Sequence, residues 1–316
     1  MKVLVTGGAG FIGSHFVDFL LKNQNINEIY VLDKLTYAGN LRNLPTKTNN
    51  CKIHFYNDDI NNIDKYLKEL DGLDYIVNFA AETHVDNSIK DSDLFIQTNI
   101  VGVHKLLKFA LQNRVKKFLQ VSTDEVYGSI KKGSWNEDQP LLPNSPYSAS
   151  KASADLLVRS FSKTYGLNTN ITRSSNNYGP RQFPEKFIPV LINRSLMLEK
   201  VPIYGTGTNV RDWLHVTDHC RGIFLVLENG IAGETYNIGG GVELDNNSMA
   251  KHVLNYLGLP ISNISYVEDR LGHDYRYSVD WSKIRNELGY FPKQDFFEEL
   301  KSTIDWYREN PNWWVK

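Results

Sequence analysis

Residues 2–21 read KVLVTGGAGFIGSHFVDFLL, and this stretch decides the predicted fold. It begins as a short apolar strand, continues through a glycine-rich turn and ends as an amphipathic helix. Gly8, Gly10 and Gly13 match the spacing G-x-G-x-x-G. With Gly7 in place of Gly8 the same stretch matches the looser G-x-x-G-x-x-G, so the spacing does not choose between subtypes. In both patterns the glycines let the backbone turn tightly and approach a pyrophosphate at the helix N-terminus, which predicts a dinucleotide site.

An acidic residue at the end of the next apolar run supports this prediction. Asp33 follows Gly13 by 20 residues, where an acid accepts hydrogen bonds from a ribose hydroxyl. A carboxylate at this place would also repel a 2′-phosphate, so the predicted cofactor is NAD rather than NADP. The alternative is a plain tight turn between a strand and a helix, with no nucleotide.

Short apolar runs alternate with helical patterns through the first half of the chain. One helical pattern, Ser92–Gln112, has apolar residues three or four positions apart. Strands that are apolar throughout and alternate with helices indicate a parallel sheet covered on both faces. The predicted fold class is α/β, a Rossmann-like doubly wound parallel sheet. The candidate strands are residues 2–6, 29–33, 52–56, 74–81, 117–122 and 168–173.

The character of the sequence changes after about residue 175, where glycine and proline are more frequent and the predicted strands are shorter. This change predicts a smaller C-terminal α+β lobe. We expect a first domain over residues 1–175 and a second lobe mainly over residues 176–316. We also expect the chain to return to the main sheet somewhere within residues 208–240.

Composition excludes several classes of partner. The 35 basic and 36 acidic residues give a formal charge of −1, which predicts no broad basic surface for nucleic acid or an anionic membrane. No apolar run approaches the roughly 20 residues of a membrane span. Cys51 and Cys220 are far apart and lie in no paired motif, which is typical of a reducing compartment. The first residues reach glycines too early for a signal peptide, so a cytoplasmic protein is predicted.

The stretch VSTDEVYG, residues 121–128, ends a strand of the predicted core with two neighbouring acids. Thr123, Asp124 and Glu125 follow one another, although adjacent carboxylates repel each other and resist burial. Such a pair can divide the roles of acid and base in a reaction, because mutual repulsion separates the two pKa values. The alternative is a capped turn in contact with solvent.

The pattern Tyr-x-x-x-Lys occurs three times, so its spacing alone carries little information. Only the last pair lies in a helical pattern, PYSASKASADLLVRSF, in which Pro146 suits the first turn. There the tyrosine and the lysine share one face of the helix, so the cation is expected to lower the phenol pKa and make the tyrosine an acid–base group. The alternative is a surface pair. The three pairs are Tyr30/Lys34, Tyr127/Lys131 and Tyr147/Lys151.

These stretches and four others together resemble the extended short-chain dehydrogenases, and within them the NAD-dependent epimerase/dehydratase family. The resemblance spans nearly the whole chain, and its most diagnostic element is the acid pair. Related epimerases usually place small hydroxyl residues at Asp124 and Glu125, and related decarboxylases tend to keep only the glutamate. The four other stretches are NFAAETHVDNSI (78–89), SNNYGPRQFPEKFIP (175–189), VPIYGTGTNVRDWLHVTDH (201–219) and LGHDYRYSVD (271–280).

The resemblance implies NAD-dependent dehydration of a sugar nucleotide, dTDP-glucose, to a 4-keto-6-deoxy product. Tyr147 would take the O4 proton while C4 is oxidised, Thr123 would hold that oxygen, and Lys151 would lower the tyrosine pKa. Glu125 would then take the C5 proton, and a protonated Asp124 would donate to the departing C6 hydroxyl. Hydride would finally return to C6. Because both acids must reach one ligand, we expect the regular strand to end at about Ser122 or Thr123.

The resemblance also implies the residues that bind the two ligands. The cofactor residues are Gly7, Gly10, Phe11, Ile12, Gly13, Asp33, Lys34, Thr36, Asp59, Ile60, Phe79, Ala80, Ala81, Thr83, Thr98, Tyr147, Lys151 and Asn177. The substrate residues are His84, Thr123, Asn176, Lys186, Phe187, Pro202, Tyr204, Arg211, Asn237, Arg270 and His273. Leu271 stands where the family commonly has proline, and the acidic stretch before helix 247–257 gives no site assignment.

A homodimer is implied by the family, with Ser92–Gln112 and Tyr147–Tyr165 of each chain forming a four-helix bundle. No metal is predicted, because His215 and His219 lie where a strand runs into a helix and lack a third ligand. Two other functions stay open: a related epimerase or decarboxylase, and a non-catalytic NAD-binding regulator. Thymidine is preferred as the base by resemblance alone, and whether the product feeds rhamnose or another deoxysugar stays open.

Overall fold

The computed structural model describes residues 1–45 and 51–313. Its main sheet has seven strands, and every pairing within it is parallel. The strands of all sheets in the described residues are, in chain order, β1 (Lys2–Thr6), β2 (Glu28–Leu32), β3 (Lys52–Tyr56), β4 (Tyr75–Asn78), β5 (Lys117–Thr123), β6 (Thr169–Ser174), β7 (Asn176–Tyr178), β8 (Val201–Tyr204), β9 (Val210–His215), β10 (Thr235–Ile238), β11 (Glu243–Asp245) and β12 (Ile264–Val267). The main sheet has the order β10-β6-β5-β4-β1-β2-β3. The predicted fold class is confirmed.

Helices cover both faces of this sheet. The helices are α1 (Phe11–Leu21), α2 (Val85–Lys90), α3 (Asp93–Ile96), α4 (Val103–Gln112), α5 (Pro146–Tyr165), α6 (Phe187–Leu196), α7 (Val216–Asn229), α8 (Asn246–Tyr256), α9 (Ser282–Leu288) and α10 (Phe296–Glu309). Buried residues of α1 and α7 pack on one face, and those of α4 and α5 pack on the other. Every residue of β5 and β6 is buried, as a parallel sheet covered on both sides requires.

The strand order places a crevice at the carboxyl ends of β1 and β4. The chain proceeds from β1 to β2 and β3 on one side, and then crosses to β4 and β5 on the other side of β1. In open α/β sheets the helices diverge where the direction of winding reverses, and ligands bind there. The glycine turn after β1 and the acid pair after β5 therefore face the same edge of the sheet.

The helix predicted over Ser92–Gln112 is divided into three parts. Between α3 and α4 the residues Gln97–Gly102 form a π-helical segment, in which one extra residue per turn widens the helix. The strand predicted over 74–81 is also shorter, because β4 ends at Asn78 and the chain after it turns along the crevice. Both differences lie at the site described below.

A second group of elements packs beside the main sheet. The strands β11, β9 and β7 form a three-stranded sheet, β12 pairs with β8, and α6, α8 and α10 share a separate apolar core. Strand β10 lies at the edge of the main sheet, where it pairs with β6. The division at residue 175 stays a prediction. Among the residues that the structure describes, no helix has the length and apolar character needed to span a bilayer.

Candidate active site in a nucleotide-binding cleft

The turn between β1 and α1 requires glycine at two positions, Gly7 and Gly13. Gly7 has φ +67°, and a Cβ on it would lie 2.7 Å from the Ala80 nitrogen. A Cβ on Gly13 would lie 2.2 Å from the Gly7 oxygen. Gly10 is the N-cap of α1 and offers no side chain to its backbone amides. The start of the helix is therefore bare and positively polarised, which fits a dinucleotide pyrophosphate.

Asp33 ends up at the edge of this turn. Its Oδ2 accepts from the Ala9 nitrogen at 2.9 Å, and its Oδ1 accepts from the Leu35 nitrogen at 2.8 Å. Asp33 thus ties the glycine turn to the end of β2 while it lines the cleft. Beside it, Lys34 forms a 2.8 Å ion pair with Asp59. A carboxylate at this place can accept hydrogen bonds from ribose hydroxyls, so the geometry fits the predicted preference for NAD.

One cavity of about 640 Å³ extends from the glycine turn, past the acid pair, to the second group of elements. Its volume is in the range of sites that bury a small-molecule ligand. Every residue predicted for the cofactor lines it, and so do the predicted catalytic residues. All the predicted substrate residues line it as well, except Asn237.

The acid pair is delivered by a tight turn rather than by the strand itself. Strand β5 ends at Thr123, as predicted, and Asp124–Tyr127 form a single 3₁₀ turn. The Thr123 hydroxyl accepts from the Glu125 nitrogen at 3.3 Å and donates to Asp124 at 3.2 Å. Because helical geometry replaces the alternation of a strand, both carboxyl groups reach one cavity.

Burial raises the pKa of both acids, but the two differ in the neighbouring charges that add to or oppose this shift. Asp124 is 2% exposed, and burial raises its pKa well above the ordinary value, with repulsion from Glu125 and Asp212 adding to the effect. Burial also raises the pKa of Glu125, but Lys186 and Arg211 oppose this shift. Asp124 Oδ2 has no hydrogen-bond partner among the described residues. The site therefore favours a protonated Asp124 beside an ionisable Glu125, which is an acid and a base side by side.

Tyr147 and Lys151 lie in the first two turns of α5. Ser145 and Ser148 form a capping box that begins the helix, with Pro146 in its first turn as predicted. The Lys151 ammonium donates to the Val121 oxygen at 2.8 Å, and burial lowers the Lys151 pKa to about 8. The Tyr147 backbone nitrogen donates to Ser88 Oγ at 3.2 Å.

The expected lowering of the Tyr147 pKa is wrong for the surroundings that this chain supplies. Burial raises that pKa well above its ordinary value, and the charges of Glu125 and Asp124 raise it further. A hydrogen bond with Thr123 opposes the shift. The physical reason is that desolvation of a phenolate and two nearby carboxylates outweigh a single buried cation.

The other two tyrosine–lysine pairs have different surroundings. Tyr30 lies in β2 and donates to Glu28 at 2.7 Å, while Lys34 pairs with Asp59. Tyr127 is 1% exposed and lies outside the cavity lining. The sequence context therefore selected the one pair in which both side chains line the cleft.

Asn99 was missed from the sequence, although it holds two parts of the site together. It lies in the π-helical segment. Its side chain accepts from the backbone nitrogen of Glu82 at 2.9 Å and donates to the backbone oxygen of Glu82 at 3.0 Å. It also donates to Ser150 Oγ at 2.8 Å, and Ser150 lies on α5 beside Lys151. A lone asparagine inside an apolar helical pattern was the available signal.

Cationic groups gather at the far end of the cavity. Arg211 donates to the backbone oxygen of Asp274 at 3.0 Å, and its guanidinium lies 4.4 Å from the Tyr277 ring centroid. Lys186 donates to the Thr83 oxygen at 2.7 Å, and burial lowers its pKa. Arg270 forms a 2.6 Å ion pair with Asp86. This end of the cavity suits an anion such as a diphosphate.

Two polar side chains of β7 line the middle of the cavity. Asn176 Oδ1 is buried and has no hydrogen-bond partner among the described residues, so it can accept from a ligand. Asn177 Oδ1 is instead occupied by His219 Nδ1 at 2.8 Å.

His215 Nε2 lies 3.6 Å from Glu299 Oε2. Within residues 1–45 and 51–313, no group of three or more potential ligands is arranged to hold a metal ion.

Asn237 requires a correction, because the structure does not place it where a substrate could touch it. It is fully buried in β10 and lies outside the cavity lining. Its Oδ1 accepts from the Tyr127 hydroxyl at 2.9 Å, and its Nδ2 donates to the oxygens of Trp135 and Asp280. The physical reason is the sheet pairing, which turns this side chain away from the cleft and behind the acid pair.

Among the cavity residues that were not predicted, three have partners far away in the chain. Asp86 pairs with Arg270, Tyr277 lies under Arg211, and Glu185 accepts from the Tyr37 hydroxyl at 3.1 Å. Each owes its place to a partner more than 60 residues away in the chain. Short-range spacing offers no signal for such contacts.

Comparisons with known proteins agree with this geometry. The family model described as GDP-mannose 4,6 dehydratase matches residues 4–303. A dTDP-glucose 4,6-dehydratase of an Actinoplanes species is 52% identical, with 100% of both chains covered. The solved structure of DesIV, a dTDP-glucose 4,6-dehydratase from Streptomyces venezuelae with NAD and TYD bound, has 51% identity and a TM-score of 0.97, covering 100% of this chain and 99% of that one. A UDP-glucose 4-epimerase from Thermotoga maritima with UDP-glucose has 33% identity and a TM-score of 0.91, covering 98% and 100%.

Proposed function

Because this chain belongs to the GDP-mannose 4,6 dehydratase family, we propose that it uses NAD to dehydrate dTDP-glucose to dTDP-4-keto-6-deoxyglucose. The choice of base rests on relatives of about half identity that carry the dTDP-glucose name. NAD is bound in the solved structure of one of them. The glycine turn and Asp33 supply the matching surroundings in this chain.

The observation that carries this proposal is the buried Asp124 next to the half-buried Glu125, beside Tyr147 in one cavity. The overall fold cannot make the choice, since a UDP-glucose 4-epimerase structure matches the chain with a TM-score of 0.91. An epimerase needs only to remove and return a hydride at C4. Elimination of water also needs a base for a C–H proton and an acid for a departing hydroxyl, which are the two groups present here.

Bound NAD⁺ would accept the hydride of C4 and, once reduced, return it to C6. In the oxidation step Tyr147 takes the proton of the O4 hydroxyl, and Thr123 donates to that oxygen. Lys151 is one helical turn from Tyr147, so its positive charge stabilises the phenolate that accepts this proton. The nearby carboxylates raise the cost of a phenolate, which makes neutral Asp124 important already at this step.

The C4 ketone makes the C5 proton acidic, and Glu125 removes that proton. Asp124 gives its own proton to the C6 oxygen, so the C6–O bond breaks and water leaves. The raised pKa of Asp124 keeps it protonated for this donation. After hydride reaches C6, Glu125 returns a proton to C5. The proton that Tyr147 took from O4 then passes to Asp124, which restores the starting state of both groups and balances the cycle.

The diphosphate of the substrate would lie at the cationic end of the cavity. We expect Arg211, Lys186, Arg270 and His273 to surround it, with Asn176 accepting from the sugar. Arg270 would exchange its ion pair with Asp86 for a phosphate oxygen. Guanidinium groups suit such bidentate contacts.

The homodimer and the cytoplasmic location belong to the same proposal. Helices α3 and α5 carry exposed apolar side chains, including Leu94 at 57% and Leu156 at 58% exposure. A four-helix bundle formed with a second copy would cover them. Sedimentation of the purified protein tests the dimer, and Leu156→Glu should shift it toward the monomer.

The proposed division of labour predicts separable half-reactions. Glu125→Gln keeps the shape of the side chain and removes the base. Oxidation at C4 does not need this base, so reduced cofactor should form in a single turnover and persist, visible by near-ultraviolet absorbance. Elimination should slow by about 10²- to 10⁴-fold, the usual worth of a positioned acid or base. Solvent deuterium should enter C5 correspondingly slowly.

Two tyrosine variants provide the controls. Tyr147→Phe should form no reduced cofactor, while Tyr30→Phe, altered far from the cavity, should turn over normally. Product mass separates the alternatives, since only dehydration loses water. Parental dehydration by Glu125→Gln would remove the two acids from the mechanism and favour an epimerase. Binding of NAD with no reaction of the parent enzyme on any sugar nucleotide would favour a regulator.

A further inference from the structure

A chain of buried polar side chains lies directly behind the acid pair and is not used in the chemistry. Its members are Tyr127, Arg173, Asp155 and Asn237, each at most 6% exposed. All four lie outside the cavity lining. Buried polar groups are costly unless satisfied, so a connected set of them at such a place calls for a physical account.

Tyr127 is the last residue of the 3₁₀ turn that carries Asp124 and Glu125. Its hydroxyl accepts from Arg173 Nη1 at 2.8 Å and donates to Asn237 Oδ1 at 2.9 Å. The hydroxyl is thus held from two sides by two neighbouring strands, β6 and β10. The turn ends immediately afterwards at Gly128, which has φ +78°.

Arg173 connects this turn to the helix of the oxidation step. Its Nε donates to Asp155 Oδ2 at 2.9 Å. Asp155 lies on α5, one helical turn after Lys151, and its charge raises the Lys151 pKa against the effect of burial. In the sheet Arg173 pairs with Ser122, one residue before Thr123. The guanidinium therefore bridges the two elements that carry the reacting groups.

Asn237 fixes the far end of the chain. Its side-chain amide donates to the oxygens of Trp135 and Asp280 at 3.0 and 3.1 Å. Its backbone nitrogen donates to Glu137 Oε1 at 2.8 Å. Both amide hydrogens and the Oδ1 of Asn237 therefore have partners inside the protein, and its contact with the turn is made through Tyr127.

We propose that Tyr127 is a positioning residue for the elimination step, held in place by Arg173 and Asn237. The inference rests on the proposed function, because it assigns the step that the turn serves. Asp124 and Glu125 must reach the C6 oxygen and the C5 hydrogen of one sugar together. Anchoring the end of their turn to two strands sets where both carboxyl groups lie.

The anchor should act on elimination more than on oxidation. The acids lie two and three residues before Tyr127 on the same short turn. Tyr147 and Lys151 lie on α5, which is held separately by Asn99 through Ser150 and by Lys151 through the Val121 oxygen. Loosening the turn should therefore displace Asp124 and Glu125 more than Tyr147 and Lys151.

Tyr127→Phe tests the anchor, because it removes one oxygen atom and leaves the ring. Tyr290→Phe is the matched control: Tyr290 is also fully buried, its hydroxyl donates to the Gly239 oxygen at 3.1 Å, and Arg221 lies 5.1 Å from its ring centroid. Tyr290 lies outside the cavity lining. Both variants lose one buried hydroxyl beside an arginine, so similar losses of unfolding free energy are expected.

Two readouts separate positioning from stability. In single turnovers with dTDP-glucose, Tyr127→Phe should reduce the cofactor at the parental rate but eliminate water about 10- to 100-fold more slowly, the effect of a displacement near 1 Å. Without substrate, the amides of residues 123–128 should exchange hydrogen faster in Tyr127→Phe than in the parent. Tyr290→Phe should leave both readouts at parental values.

Equal slowing of oxidation and elimination, or unchanged exchange at residues 123–128, would overturn the inference. Arg173→Lys serves as a second variant, since it keeps a cation beside Asp155 and loses the donor to Tyr127. It should slow elimination in the same way, and parental elimination there would also overturn the inference. A parent enzyme that fails to dehydrate dTDP-glucose would instead count against the proposed function, whatever the exchange data show.

Discussion

Among individual residues, Asp33 shows how one carboxylate serves both the fold and a ligand. Its two oxygens accept from the nitrogens of Ala9 and Leu35, which joins the glycine turn to the end of β2. Each carboxylate oxygen has a second lone pair that can accept from a ribose hydroxyl. The same residue therefore shapes the glycine turn, and we expect it to contact the cofactor as well.

Asp33→Ala should weaken NAD binding, because the ribose loses a charged acceptor worth about 1.5–3 kcal/mol. Calorimetry with the purified protein measures the change. Asp74→Ala is the control, since Asp74 also accepts from a backbone nitrogen, that of Lys2 at 2.8 Å, but at the opposite end of the sheet. NAD affinity that is unchanged by Asp33→Ala, or reduced equally by both variants, would remove Asp33 from the cofactor site.

The acids after β5 show the same dependence on surroundings. Asp124 and Glu125 are neighbours in sequence, and Arg211 opposes the raised pKa of both, but only Glu125 has Lys186 as a further opposing charge. The pKa of Asp124 is raised by burial and then by two further carboxylates. We expect these different surroundings to make Asp124 the proton donor and Glu125 the proton acceptor.

Among the elements, the unit β1, glycine turn and α1 shows why glycine positions differ in what they tolerate. A Cβ at Gly13 would overlap the Gly7 oxygen at 2.2 Å, within the turn itself. A Cβ at Gly10 would lie 3.2 Å from the same oxygen and meet nothing else within 4 Å. Gly13 is thus required by packing of the helix on the turn, whereas Gly10 leaves room for the ligand.

Gly13→Ala should lower the free energy of unfolding by about 1–3 kcal/mol, as overpacked cores do. Gly10→Ala should lower it less, because its neighbour needs to move only a few tenths of an ångström. Urea denaturation without added nucleotide measures both. A larger loss for Gly10→Ala than for Gly13→Ala would contradict the packing explanation and place the tighter contact at the N-cap.

Across the whole molecule, three histidines lie where the second group of elements meets helices α1 and α7, and of these His215 and His219 are buried while His15 is half-buried. His15 contacts the Pro180 oxygen at 2.9 Å, His219 contacts Asn177, and His215 lies at the end of β9. Burial lowers their pKa values to about 4 for His15, about 3 for His219 and about 4 for His215. The junction is therefore built from neutral imidazoles.

This junction should make stability depend on pH. Below the ordinary histidine pKa of 6.5 the unfolded chain binds protons that the folded chain does not. The stabilisation is thus complete above pH 6.5 and is lost as pH falls toward the folded values, by about 1.4 kcal/mol per pH unit for each histidine. His219→Asn can still donate to Asn177. It should reduce the slope of unfolding free energy against pH by the contribution of one histidine, about 1.4 kcal/mol per pH unit. Parallel curves for parent and variant would contradict this origin.

Local order in the chain was sufficient for several features. The glycine turn, Asp33 and the parallel sheet follow from residue types and spacing, because strand and helix patterns are set by near neighbours. The end of β5 at about Ser122 or Thr123 was instead expected from the reaction that the resemblance implies. The same holds for the choice of Tyr147 over Tyr30 and Tyr127, since only a helix brings positions four apart onto one face. Resemblance then supplied a reaction for these groups.

Tertiary structure alone decided the features that depend on distant partners and on burial. Tyr127 and Asn237 are 110 residues apart, so their hydrogen bond, and the removal of Asn237 from the substrate site, could not be read from spacing. The π-helical segment around Asn99 and the ion pair of Arg270 with Asp86 arise in the same way. The raised pKa of Tyr147 was also decided here, because desolvation depends on everything packed around a group rather than on its neighbours in the chain.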